Sequence, residues 1–98
     1  VQIPCYGHAG DGNLHATPVM NPDWTLERWH ETLPAILTDL YRLTASLGGT
    51  ISGEHGIGHK RKTYLPLVLS EPAIELMRSI KRAWDPKNVL NPAKIFDA

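Results

Sequence analysis

The sequence is poor in the residues that staple a chain or anchor it in a membrane. It has one cysteine, Cys5, so no disulfide can form within it. That suits a reducing, cytoplasmic setting, or a place peripheral to an inner membrane, and Cys5 is expected to be a small buried side chain rather than a nucleophile. Aromatic residues supply 7% of the chain. No apolar run approaches the ~20 residues that a membrane helix needs, so no transmembrane segment is expected. An excess of either charge is also lacking, with ten basic against ten acidic residues. This removes the global electrostatic case for nucleic acid or for an anionic membrane, and the basic run His59-Lys-Arg-Lys62 is too short to restore it. No signal peptide opens the chain, and Val1 stands where an initiator methionine would be, which reads as a domain taken from a longer protein.

What the chain does have is glycine, gathered in two clusters that each frame titratable side chains. The first is Gly7-His-Ala-Gly-Asp-Gly-Asn-Leu-His15; the second is Gly48-Gly-Thr-Ile-Ser-Gly-Glu-His-Gly-Ile-Gly58. Glycine permits left-handed backbone and close approach, so both read as tight, shaped loops. Neither fits a nucleotide motif: no Gly-Lys-Ser/Thr follows the second, and the first lacks dinucleotide-fingerprint spacing. His30-Glu31 is not a zinc-protease motif, because Pro34 stands where the second histidine would be.

The remaining pattern is helix-rich α+β. Val1 to about His8 and Leu14 to Val19 read as the strands of a hairpin turned at Asp11-Gly12, with Pro4 and Pro18 at its ends. Leu26, Trp29, Leu33, Ile36, Leu37, Leu40, Leu43 and Leu47 form one apolar stripe, predicting a helix over about 24–47. Asp23 or Thr25 would cap it, Gly48-Gly49 would end it, and Pro34 would distort it near Glu31. Lys60 to Leu69 reads as a helical turn or two. Ser70 caps a second helix, whose stripe is Ala73, Ile74, Met77, Ile80 and Trp84 and which Asp85-Pro86 stops. The tail from Asn88 to Phe96 reads as extended. A lone hairpin is marginal in water, which suggests that its sheet is completed by residues outside the chain.

The candidate chemistry follows from the hairpin. With Asp11-Gly12 as a two-residue turn, His8 lies opposite His15, and directly paired side chains have Cβ atoms about 4.5–5.5 Å apart. Two imidazoles so placed can share a divalent ion; two histidines on a solvated edge are the alternative. A carboxylate is the usual supplement, and Glu54 is the best candidate, since Asp11 is already explained by turn chemistry. Zinc, iron and manganese all suit that donor set. His55 is expected to point away from Glu54's ligand position. It reads equally as a general base or as a loop histidine bonded to backbone.

The two glycine clusters, with Asp85-Pro-Lys-Asn-Val-Leu-Asn-Pro-Ala-Lys94, resemble the C-terminal end of FAD-linked 2-hydroxy-acid dehydrogenases and oxidases. These are vanillyl-alcohol-oxidase-like flavoproteins of the glycolate oxidase flavin subunit and D-lactate dehydrogenase type. The resemblance covers nearly the whole chain and keeps the motif order. It implies that His8, His15 and Glu54 bind a divalent metal, that His55 is the catalytic base, and that Asn91 and Lys94 lie near the flavin. The family often has Gly where Ala93 stands. It further implies that residues 1–98 are a single partial domain, the end of a cap (substrate) domain, with the FAD-binding domain elsewhere. The expected activity is oxidation of a small 2-hydroxy acid, of the glycolate or D-lactate class, to the 2-oxo acid, with the isolated chain inactive. The competing expectations are a non-catalytic metal-binding or homodimerising module, and a different reaction on the same scaffold, such as ether-lipid synthesis.

Overall fold

The computed structural model describes residues 1–97. In chain order it contains strands β1 (Cys5–His8) and β2 (Asn13–Ala16), helix α1 (Leu26–Ser46), a 3-10 segment (Lys62–Leu67) and helix α2 (Glu71–Trp84). The architecture is therefore α+β and helix-rich, with the hairpin first. The chain divides after Leu40, inside α1, into two compact units. None of the helices among the described residues is long and apolar enough to cross a membrane.

In the first unit, β1 and β2 pair antiparallel with Tyr6 opposite His15 and His8 opposite Asn13. A bridge from Gln2 to Val19 continues the same register. The expected two-residue turn is replaced by four residues, Ala9–Gly12. Asp11 N–H donates to His8 O (3.1 Å) and Gly12 N–H to Ala9 O (3.3 Å). The reason is conformational: a two-residue type I′ turn needs left-handed backbone at both central positions. Here Gly12 adopts it (φ 68) and Asp11 does not. Pro4 and Pro18 flank the ladder as expected. Cys5, expected inside, is exposed, as is every residue of β1, one of the two strands of the sheet.

Helix α1 is capped by Thr25, whose Oγ1 accepts from Arg28 N–H at 3.1 Å. Pro34 does not break it, and every residue from Leu26 to Ser46 is helical. Its end is a Schellman motif: Gly49 N–H donates to Thr44 O (2.9 Å) and Gly48 N–H to Ala45 O (3.0 Å), with Gly48 at φ 83.

The core of the second unit is Ile51, Ile57, Leu65 and Ile74, with Tyr41, Tyr64, Val68, Leu69, Ile95 and Phe96 packed against it. Helix α2 starts as predicted, Ser70 Oγ accepting from Ala73 N–H at 3.4 Å. Its apolar stripe is used only in part. Ile74 is 2% exposed, whereas Ile80 is exposed and Trp84 is 85% exposed. The small core lies at the N-terminal half of α2, and the stripe runs past it.

The tail is not extended. Asn88, Asn91, Ala93 and Ile95 all have positive φ, from 45 to 71°. Asp85, only 8% exposed, organises its first turn. The carboxylate accepts from Lys81 Nζ, from Val89 N–H (3.1 Å) and from Leu90 N–H (2.9 Å). The sequence reading took Asp85 as a helix stop and missed this role; an Asp just after a helix, with Pro next, was the available signal.

The Lys81 hydrogen bond, followed by those from the Leu90 and Val89 amides, holds the Asp85 carboxyl below its usual 3.8. A depressed folded-state pKa contributes stability that is present above 3.8 and is lost as pH falls through the folded value. Asp85→Asn is therefore expected to lower the melting temperature at pH 7, and the gap to wild type should narrow below about pH 4. A pH-independent gap in thermal unfolding would contradict this. At Ala93, φ is 63°, a conformation that disfavours an L-residue by about 1–2 kcal/mol. Glycine's larger unfolded-state entropy offsets about 0.4–1 kcal/mol of that, so Ala93→Gly is expected to stabilise the fold by roughly 0.5–1 kcal/mol in urea unfolding.

Candidate functional site

Candidate residues occur in both units. In the first, residues two apart on a strand share a face, so His8 and Tyr6 project to the same side of the hairpin as their partners Asn13 and His15. The expected His8–His15 facing pair is corrected here. The register differs from the expected one by two residues, so the face is kept but the histidines become diagonal rather than opposite. Diagonal neighbours are about 7–8 Å apart, still within reach of long side chains. The residue opposite His15 is Tyr6, whose ring stacks on the imidazole at 4.9 Å between centroids and 19° between planes. The sequence reading missed Tyr6. Its signal was its place two residues before His8.

Gly7 is what allows the strands to close at this point. A Cβ built there would lie 2.1 Å from the backbone oxygen of Asn13, far inside contact distance. Gly10 has nothing within 4 Å and is spacing in the turn.

In the second unit, Gly53 O accepts from Gly56 N–H at 3.1 Å, which closes a turn with Glu54 and His55 at its two central positions. Gly56 has φ 70. Contrary to the expectation of divergent side chains, His55 Nε2 lies 3.9 Å from Glu54 Oε1. Both side chains are exposed, at 72% for His55 and 45% for Glu54. The turn is pinned on either side, because Ile51 and Ile57 are buried in the core. The polypeptide thus holds an acid and an imidazole outward on a short, doubly anchored loop.

The other proposed contacts lie on the tail. Asn91 is exposed and left-handed (φ 45). Lys94 is exposed, and its Nζ donates to Pro92 O at 3.2 Å. His59 is exposed, with Nδ1 3.3 Å from Ala93 O. His30 is exposed on α1. In chemistry, imidazole and carboxylate are both donor types that borderline divalent cations accept.

Taken with the motif order, these features define a C-terminal segment of a flavin-linked oxidase, and the chain belongs to the family described as FAD linked oxidases, C-terminal domain, which it matches over residues 1–95. It is 40% identical over 96 residues to the glycolate oxidase subunit GlcD of Bacillus subtilis, covering 98% of this chain and 20% of that protein. It is 44% identical over 95 residues to a D-lactate dehydrogenase of Archaeoglobus fulgidus, covering 97% and 20% respectively. A mitochondrial D-lactate dehydrogenase (cytochrome) 1 of Saccharomyces cerevisiae is 42% identical over 90 residues, 92% of this chain and 15% of that protein. The chain thus spans about one-fifth or less of the length of these relatives.

The Gly7 contact yields a paired prediction. Gly7→Ala should destabilise the chain by more than about 1 kcal/mol, since the clash is with backbone and something must shift. Gly10→Ala should be close to neutral. Urea unfolding, with the Tyr6–His15 cross-strand contact followed by NMR, checks both.

Proposed function

We propose that the chain is the catalytic C-terminal portion, the end of the substrate-side cap domain, of an FAD-dependent oxidoreductase that oxidises a small 2-hydroxy acid to the 2-oxo acid. Glycolate and D-lactate are the substrate class that the named relatives support. The observation that carries the reading is the Gly53–Gly56 turn, which presents an acid and an imidazole together from a rigidly anchored loop. Membership of the family supplies the flavin context.

In this reading His8, His15 and Glu54 converge on one divalent cation, zinc, manganese or iron. When bound, the metal supplies Lewis acidity at the substrate's carboxylate and hydroxyl oxygens, and the flavin supplies the hydride acceptor. His55 takes the hydroxyl proton on an imidazole nitrogen as the α-carbon is oxidised. Glu54, adjacent on the same turn, is placed to stabilise the imidazolium that results as well as to hold the cation. Tyr6 stacks on His15 and restricts its ring, which favours one ligand orientation. Asn91 and Lys94 present an amide and an ammonium outward from the tail. Those groups suit the polar edge of a flavin held mainly by the FAD-binding domain. The partners are therefore the hydroxy acid and that domain, with no role for nucleic acid.

The test uses the full-length flavoprotein and stopped-flow reduction of its flavin by glycolate and D-lactate. His55→Gln should slow flavin reduction by about 10²–10⁴-fold, the range for loss of a general base, with flavin content unchanged. Reduction at the wild-type rate would remove His55 from the chemistry. Saturable binding of metal with no hydroxy-acid oxidation by the full-length protein would favour a non-catalytic module.

A further inference from the structure

The last residues of the chain are tied, by several independent contacts, to the segment that follows the Glu54–His55 turn. Ile95 N–H donates to Gly58 O at 2.7 Å. The neighbouring His59 places Nδ1 3.3 Å from Ala93 O and donates there when that nitrogen carries its proton. Ile95 and Phe96 pack on the core that includes Ile57. Lys62 Nζ donates to the Asp97 carboxylate at 2.8 Å, and Arg78 Nε donates to Asp97 O at 3.1 Å. The Arg78 guanidinium also lies over the Phe96 ring, 5.8 Å from its centroid.

These contacts hold a backbone that the sequence does not favour by itself. Ala93 and Ile95 sit at φ 63 and 71, and a β-branched residue in that region is an outlier that persists only where its surroundings over-determine it. Nothing in the Glu54–His55 turn explains why the tail should be shaped so. With the Ile95 amide held on Gly58 O, the left-handed φ of Ile95 turns the residues that follow, and Phe96 packs on the core while Asp97 meets Lys62.

We propose that Ala93–Asp97 is a brace for the Gly53–Gly58 loop, with Ile95, Lys62 and Asp97 acting as positioning residues that fix where Glu54 and His55 stand. The effect passes through Gly58 and the buried Ile57, so the loop keeps one shape while its side chains stay outward. That the braced pair acts on a hydroxy acid rests on the proposed function; the brace itself does not.

The experiment is amide hydrogen exchange on the intact chain, without metal, flavin or substrate, reading Gly56 and Ile95 against the central amides of α2. Ile95→Pro removes the donor at the contact and cannot adopt the observed φ. It should speed exchange at Gly56 by about tenfold or more while α2 keeps its protection. Asp97→Asn leaves the backbone donor in place and weakens a partly exposed ion pair, so it should speed Ile95 and Gly56 exchange together by about two- to five-fold. Asp97→Glu should restore protection. Unchanged Gly56 exchange in Asp97→Asn, when Ile95 has lost protection, would overturn the brace. So would a loss at Gly56 that α2 matches in both variants, since that is global destabilisation. With no ligand in the assay, either result leaves the reaction assignment to be judged on its own test.

Discussion

The arrangement of the second unit depends on one constraint: Ile51 and Ile57 are buried on either side of a turn whose two central residues are outward. Apolar burial anchors the loop at both ends, at about 25 cal/mol for each Å² removed from water. The intervening Gly53–Gly56 hydrogen bond leaves little freedom for the pair between them. A carboxylate and an imidazole held this way need not be packed themselves. The same two isoleucines share their core with Leu65 and Ile74.

Much of the chain's apolar surface has no cover among the described residues. Leu76, Ile80 and Trp84 lie at four-residue intervals along α2 and are exposed, as are Val89 and Leu90 in the tail. Both strands of the hairpin are short, and a two-stranded hairpin is marginal on its own. Such exposure goes with a chain that spans about one-fifth of the length of its named relatives. The match over residues 1–95 to a C-terminal domain family agrees with this.

The helices were legible because their punctuation is local. Thr25, Ser70 and Gly48-Gly49 act through hydrogen bonds to residues three to five positions away, so sequence alone places them. The hairpin was legible in its face and not in its register. Residue types cannot distinguish a two-residue turn from a four-residue one when Asp11 accepts either, and the difference changed the partner of His15 from His8 to Tyr6. The first turn of the tail was open to a local reading, since the donors to Asp85 lie four or five residues away. The end of the tail was not, because Ile95 reaches Gly58 and Asp97 reaches Lys62; no local pattern announces a left-handed isoleucine. Of the proposed site residues, the positions of His8, His15, Glu54 and His55 on outward turns and one strand face follow from glycine spacing. The roles proposed for them rest on the motif order.

The proposal that the two glycine-framed motifs share one metal ion is tested most directly by X-ray absorption spectroscopy of the zinc-loaded full-length protein. The account predicts one zinc per chain, with two imidazole nitrogens at about 2.0–2.1 Å and one carboxylate oxygen at about 2.0–2.2 Å. One imidazole should disappear from the spectrum in His15→Ala and the carboxylate in Glu54→Gln. A zinc shell with no imidazole, or one unchanged by both substitutions, would contradict it.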